Sequence, residues 1–217
     1  MYKTVVFDLD GTLLNTLTDL ADAGNRLCRK YGWPTHERQA YRYFVGNGIP
    51  KLVERLAPAD QRTPAVLEAA LADFKRDYGQ HLRDTTAPYP GIPEMLAKLK
   101  ANGVQLAVFS NKADALAKEV VKDYFGTQYF TIVRGQMTGM APKPAAEGTN
   151  ALLQALHADP ASTLYVGDSN VDVETAHNAN LPCCGAVWGF RTREELNAAG
   201  AEYLAENSDE LYDVIMK

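Results

Sequence analysis

Apolar residues along this chain follow two different periods. Thr4, Val5, Val6 and Phe7 form an unbroken β-branched and aromatic run, the pattern of a parallel strand buried on both faces. From Leu13 the period lengthens. Leu13, Leu17, Leu20, Ala21, Gly24 and Leu27 recur at helical spacing, and the helical pattern holds as far as Leu82. Within it, helices are expected over 39–45, 49–56 and 64–82, the last with Val66, Leu67, Leu71, Phe74 and Tyr78 on one face. Tyr89-Pro90-Gly91-Ile92-Pro93 makes a rigid turn, and a short helix over 94–102 is stopped by Gly103. Thereafter expected strands over 104–109, 129–133, 163–166, 182–187 and 202–204 alternate with expected helices over 113–124, 145–156, 171–178 and 208–216. Such alternation is that of a parallel sheet wound with crossover helices.

The pattern therefore predicts an α/β fold: a doubly wound parallel sheet, residues 1–14 and 83–217, with a helical cap, residues 15–82, inserted after the first strand. Ligands of open α/β sheets bind outside the carboxyl ends of the strands. Both connections of the insertion leave from that edge, so it is expected to lie over the site as a lid.

Composition narrows the function. With 22 Lys+Arg against 27 Asp+Glu the net charge is -5, which argues against nucleic acid or a membrane surface as partner. An anionic substrate must then be met locally. No apolar run reaches the length of a membrane span, and a buried strand already at residue 4 leaves no room for a signal peptide. Three cysteines, two of them adjacent, do not suggest a disulfide framework, so the expected compartment is the cytoplasm. Cys183 and Cys184 read as small buried residues. The four histidines show no zinc-ligand spacing and are expected at the surface.

Chemistry-bearing residues cluster at strand ends. Asp8 and Asp10 follow the first strand, and two carboxylates there repel one another unless a cation or a shared proton relieves them. Asp8, Asp10, Gly11 and Thr12 are also ordinary turn residues, so this segment alone leaves both readings open. Ser110-Asn111-Lys112, after the strand at 104–109, is expected to open a helix. Its hydroxyl and backbone N–H groups suit phosphate oxygens, and Ser and Asn equally suit plain helix caps. Lys143 stands between Pro142 and Pro144, which restrict its direction, although a solvated loop lysine has the same appearance. Asp168 and Asp172 follow the strand at 163–166; a capping box with Ser169 accounts for Asp172 but not for Asp168.

Taken in order, Asp8-Leu9-Asp10-Gly11-Thr12, Ser110, Lys143 and Gly167-Asp168 with Asp172 resemble the motifs of the haloacid dehalogenase superfamily over nearly the whole chain. The chain is similar to the phosphoglycolate phosphatase branch through Val45-Gly46-Asn47-Gly48 and through Val187-Trp188-Gly189-Phe190-Arg191 followed by Glu194-Glu195-Leu196. The resemblance implies that Asp8 is a nucleophile forming an aspartyl-phosphate and that Asp10 is the general acid and base. It implies Mg2+ held by Asp8, the backbone carbonyl of Asp10, and Asp168, with Asp172 at the edge. Ser110 and Lys143 would bind the non-bridging phosphate oxygens. Gly11, Thr12 and Asn111 are the further substrate candidates in the core, and Gly46 and Asn47 those in the cap, where the two glycines serve equally well as helix breakers.

Asn15, Ala145-Ala146 and Asn180 depart from the family's usual residues and remove no catalytic group. The expected activity is hydrolysis of a small phosphomonoester, 2-phosphoglycolate first. Alternatives are a phosphomutase of the β-phosphoglucomutase type, a phosphatase for pyrophosphate or a sugar phosphate, and a non-catalytic binding domain. Oligomeric state is not legible.

Overall fold

In the computed structural model, which describes residues Met1–Lys217, the first apolar run is β1 (Thr4–Phe7), buried at all four positions. The short β2 (Leu14–Asn15) follows. Then come α1 (Leu17–Tyr31), α2 (Arg38–Phe44), α3 (Ile49–Leu56) and α4 (Pro64–Gln80). After β3 (Ala87–Pro88) the chain runs α5 (Ile92–Ala101), β4 (Gln105–Ala113), α6 (Asp114–Phe125), β5 (Phe130–Gln136) and α7 (Ala146–Leu156). It ends with β6 (Thr163–Gly167), α8 (Asn170–Asn178), β7 (Cys183–Ala186), α9 (Arg193–Ala198), β8 (Tyr203–Ala205) and α10 (Ser208–Met216). No helix is long and apolar enough to cross a membrane. The three cysteines are buried and unpaired.

Two units result: Met1–Asn15 with Pro88–Lys217, and Thr16–Ala87. The first carries a six-stranded sheet in the order β5-β4-β1-β6-β7-β8, every pairing parallel. From β1 the chain winds outward through β4 to β5, then returns to β6 and winds the other way. The direction reverses between β1 and β6, and connections that diverge there open a crevice at the carboxyl ends of the strands. Asp8 follows β1 and Asp168 follows β6, so the topology delivers both to that crevice. Beneath it Val6, Phe109, Leu152, Tyr165, Val173 and Leu196 belong to one buried cluster joining three strands to α7, α8 and α9. Full burial of each large side chain stabilises by roughly 1.5–3 kcal/mol, which holds the strand ends firmly.

One element differs in kind from its expectation. Residues 110–112 do not open a helix but continue β4 to Ala113, with a register shift against β5 between Phe109 and Ala113. The helix begins only at Asp114 and has no side-chain cap. The cause is that Ser110 and Asn111 use their polar groups elsewhere, as described below.

The second unit has its own core, in which Tyr41, Leu52, Leu56, Phe74 and Tyr78 are fully buried. Tyr41 donates its hydroxyl to Asn25 Oδ1 at 3.0 Å, and the Asn25 amide in turn brackets the backbone of His36. His36, expected at the surface, is half-buried with its ring 6.4 Å from Tyr41 and 5.1 Å from Phe44. The unit reaches to Ala87 rather than stopping at residue 82, because Asp19 near the start of α1 binds the returning chain. The Asp19 carboxylate is buried and accepts from the backbone N–H and the hydroxyl of both Thr85 and Thr86. The helical pattern ends at α4, but the packing does not.

Candidate active site

Asp8, Asp168 and Asp172 are buried, and each offers an oxygen within 4.8 Å of the others. Asp8 leaves β1 with its N–H donating to Val166 O at 2.8 Å, Asp168 leaves β6, and Asp172 lies in the first turn of α8. Lys143 enters from the loop before α7. Its Nζ lies 2.7 Å from Asp172 Oδ1, 2.9 Å from Asp8 Oδ1 and 3.3 Å from the Tyr165 hydroxyl. Local sequence alone favoured a solvated loop lysine, yet the residue is 3% exposed. Asn111 explains the capture: it donates to Lys143 O at 3.2 Å and accepts from Lys143 N–H at 2.8 Å, pinning the loop backbone to β4.

The turn chemistry at each strand end aims these groups. Asp168 Oδ1 accepts from the Thr12 hydroxyl at 3.1 Å and Oδ2 from Phe190 N–H at 2.7 Å. Thr12 is itself held, since Trp188 Nε1 donates to its carbonyl at 3.0 Å. Gly11, at φ +90, passes so close to Asp168 that a Cβ would fall 2.2 Å from Oδ2. Gly189 passes equally close, where a Cβ would fall 2.2 Å from Asp168 Cβ and 2.6 Å from Gly11 O. The expected capping box on α8 is present, with Asp172 Oδ2 accepting from Ser169 N–H at 3.1 Å and Oγ at 2.6 Å. Its other oxygen meets Lys143, so Asp172 fixes the lysine as well as the helix.

Three buried carboxylates lie together here, and the Lys143 ammonium meets two of them, Asp8 and Asp172, leaving an excess of negative charge away from water. The Asp8 carboxyl is pushed up to about 7, chiefly by burial, with Lys143 opposing and Asp172 and Asp10 adding to the rise. Burial, with Asp172 and Asp8 adding, likewise holds Asp168 well above the usual carboxylate range. Burial alone would lower Lys143, but Asp172 and Asp8 outweigh it and keep the ammonium charged. Asp8 Oδ1 is buried with Lys143 Nζ as its partner at 2.9 Å. An all-oxygen donor set with surplus negative charge fits a hard divalent cation such as Mg2+.

The fit makes a thermodynamic prediction. Without metal, folded Asp8 keeps its proton up to about pH 7, whereas an unfolded aspartate loses it near ~3.9. Between those values the folded chain holds more protons, so this group's contribution to stability falls as pH rises. Metal requires the ionised carboxylates and competes with protons. The rise in Tm on adding magnesium should therefore be larger at about pH 8 than at about pH 5.5, read by calorimetry. Equal rises would contradict a metal held by this cluster.

The remaining expected residues fall as follows. Ser110 ends the regular part of β4, buried, with its Oγ accepting from Lys112 N–H at 3.2 Å. Asp10 lies in the loop after β1, where Lys112 Nζ approaches its Oδ1 to 3.0 Å. Gly46 and Asn47 belong to the helical unit, in the turn between α2 and α3, and Asn47 Oδ1 accepts from Arg55 Nη2 at 2.9 Å. Sequence reasoning missed Lys112 and Tyr165 as members of the site, and Trp188 and Phe190 as its supports.

A family model described as haloacid dehalogenase-like hydrolase matches residues 5–186. Among curated proteins, the phosphoglycolate phosphatase of Chromobacterium violaceum is 31% identical over 98% of this chain and 96% of its own. That of Thiobacillus denitrificans is 31% identical over 87% and 84%. A crystal structure from Lactobacillus delbrueckii subsp. bulgaricus, assigned as a phosphoglycolate phosphatase, superposes with a TM-score of 0.93 at 28% identity, covering 99% of this chain and 98% of that one. With a family model spanning most of the sheet, and with Asp8, Lys143, Asp168 and Asp172 meeting at the topological switch, the chain belongs to the haloacid dehalogenase-like hydrolase family, as a phosphatase.

Proposed function

We propose that the protein hydrolyses a small phosphomonoester, 2-phosphoglycolate first, by way of a phosphoryl group carried on Asp8. One observation carries the reading: Asp8 is buried at the carboxyl end of β1 beside Asp168 and Asp172, with its Oδ1 held by Lys143 Nζ at 2.9 Å. A carboxylate so placed lies at the edge of the sheet where ligands of open α/β folds bind. It is ready to attack.

In the first step an Asp8 oxygen bonds to phosphorus while the bond to the leaving oxygen breaks, and Asp10 gives that oxygen a proton. In the second, Asp10 takes a proton from water, whose oxygen bonds to phosphorus as the bond to Asp8 breaks. Mg2+, held by Asp8, Asp168 and the backbone carbonyl of Asp10 with Asp172 at the edge, would neutralise charge between the carboxylate and the phosphoryl oxygens. Lys143 orients Asp8 and, with Ser110, binds the non-bridging oxygens. Selectivity falls to the helical unit, with Gly46 and Asn47 as its candidates. The choice of 2-phosphoglycolate is supported by the names of the two curated relatives at 31% identity.

The test is phosphate release with magnesium across 2-phosphoglycolate, hexose phosphates, pyrophosphate and nucleotides. For 2-phosphoglycolate kcat/KM should exceed that of the others by roughly tenfold or more, about 1.4 kcal/mol of transition-state preference. A hexose phosphate or pyrophosphate at the head of the panel would overturn the substrate. An isomerised sugar phosphate without released phosphate would overturn hydrolysis itself.

A further inference from the structure

Lys112 has no part in the chemistry above, yet it is built into the site. It lies in the stretch of β4 where the register against β5 shifts, and its side chain is only 2% exposed. Lysine is almost never so buried unless paired. Its partner is Asp10, with Nζ 3.0 Å from Oδ1 and 3.4 Å from Oδ2, across 102 residues of chain. Lys112 N–H is held in turn by Ser110 Oγ at 3.2 Å. The two buried lysines thus divide three of the four carboxylates between them: Lys143 meets Asp8 and Asp172, and Lys112 meets Asp10.

A proton carrier must bring one oxygen within about 2.6–3.2 Å of the atom it serves, and a misplacement of about 1 Å can cost on the order of 10²-fold in rate. An aspartate on a turn has two torsions with which to stray. Contact of one ammonium with both oxygens removes that freedom. We propose that Lys112 is a positioning residue for Asp10: it holds Oδ1 and presents Oδ2, the less tightly held oxygen, to the leaving group and then to water. The protons move as in the two steps above, and Lys112 neither gives nor receives one. This inference rests on the reading of Asp10 as the proton carrier.

The experiment compares wild type, Lys112→Met, Lys112→Gln, Asp10→Asn and the Lys112→Met/Asp10→Asn double variant, with circular dichroism to check folding. Each is assayed on 2-phosphoglycolate, a poor leaving group, and nitrophenyl phosphate, a good one. Asp10→Asn should lower kcat by about 10²–10⁴-fold on the first and much less on the second. Lys112→Met should show the same bias, with kcat down about 10–10²-fold on 2-phosphoglycolate and KM little changed. Lys112→Gln keeps an N–H donor and should lose less. The double variant should be no slower than Asp10→Asn, since no proton carrier remains to be positioned. Equal losses on both substrates, a raised KM with kcat intact, or losses that multiply in the double variant would overturn the proposal. Should Lys112→Met not fold, Lys112→Gln and its double with Asp10→Asn make the same comparison. An unbiased effect of Asp10→Asn alone overturns the reading of Asp10 itself, a result distinct from any behaviour of Lys112.

Discussion

Asp8→Asn should abolish phosphate release while leaving the fold in place. Asparagine matches aspartate in size and keeps one carbonyl oxygen, but it lacks the anionic oxygen that bonds to phosphorus. Loss of a nucleophile leaves only the contribution of binding and electrostatics, so kcat should fall on the order of 10⁵–10⁶-fold. Stability moves the other way near neutral pH. Asp8 sits among Asp172, Asp168 and Lys143 with burial opposing its charge, and a neutral amide relieves that repulsion. Phosphate release and thermal unfolding without metal, read on the same preparation, check both halves. Turnover near wild type would mean that water attacks phosphorus directly.

Gly189→Ala should damage both stability and metal affinity without touching a reacting group. The new methyl would sit 2.2 Å from Asp168 Cβ and 2.6 Å from Gly11 O, and neither is the end of a flexible side chain. Something rigid must move. Overpacking of this kind costs about 3 kcal/mol, a fall in Tm on the order of 6–12 °C for a chain of this size. The atom displaced belongs to Asp168, so the magnesium concentration needed for half-maximal activity should rise together with the loss of stability. Thermal melts and magnesium titrations of the purified variant test this. Wild-type values in both would show that the 188–191 loop yields freely and does not orient Asp168.

The sheet was legible because its central strands β1, β4 and β6 carry short apolar runs, which need no surface alternation when both faces are covered. The carboxylates were legible because turn residues directly after such runs can lie only at the carboxyl edge. Residues 110–112 misled for a physical reason: Ser and Asn stabilise a helix start only when their oxygens face the helix, and Ser110 and Asn111 face Lys112 and the Lys143 backbone instead. Lys143 looked like a solvated loop residue because nothing near it in sequence buries it. Its partners Asp8 and Tyr165 come from strands far along the chain. Lys112 was invisible on the same ground. A pairing across 102 residues leaves no periodic trace. Trp188 was legible as part of a motif, but its grip on the Thr12 carbonyl was not.

The bracket at Asp19 bears on how such a chain could have arisen. One carboxylate gathers both backbone and side-chain donors of Thr85 and Thr86, 66 and 67 residues downstream. Closing a long loop costs little more than closing a short one, since the penalty grows only with the logarithm of length. A segment whose two ends are stitched together in this way asks nothing more of its host than a hairpin does. It can be accepted into a surface turn, exchanged for another, or lengthened, while the strands on either side keep their register. Asp19, which no step of the proposed phosphate chemistry uses, marks the seam along which such a sheet could be given new attachments.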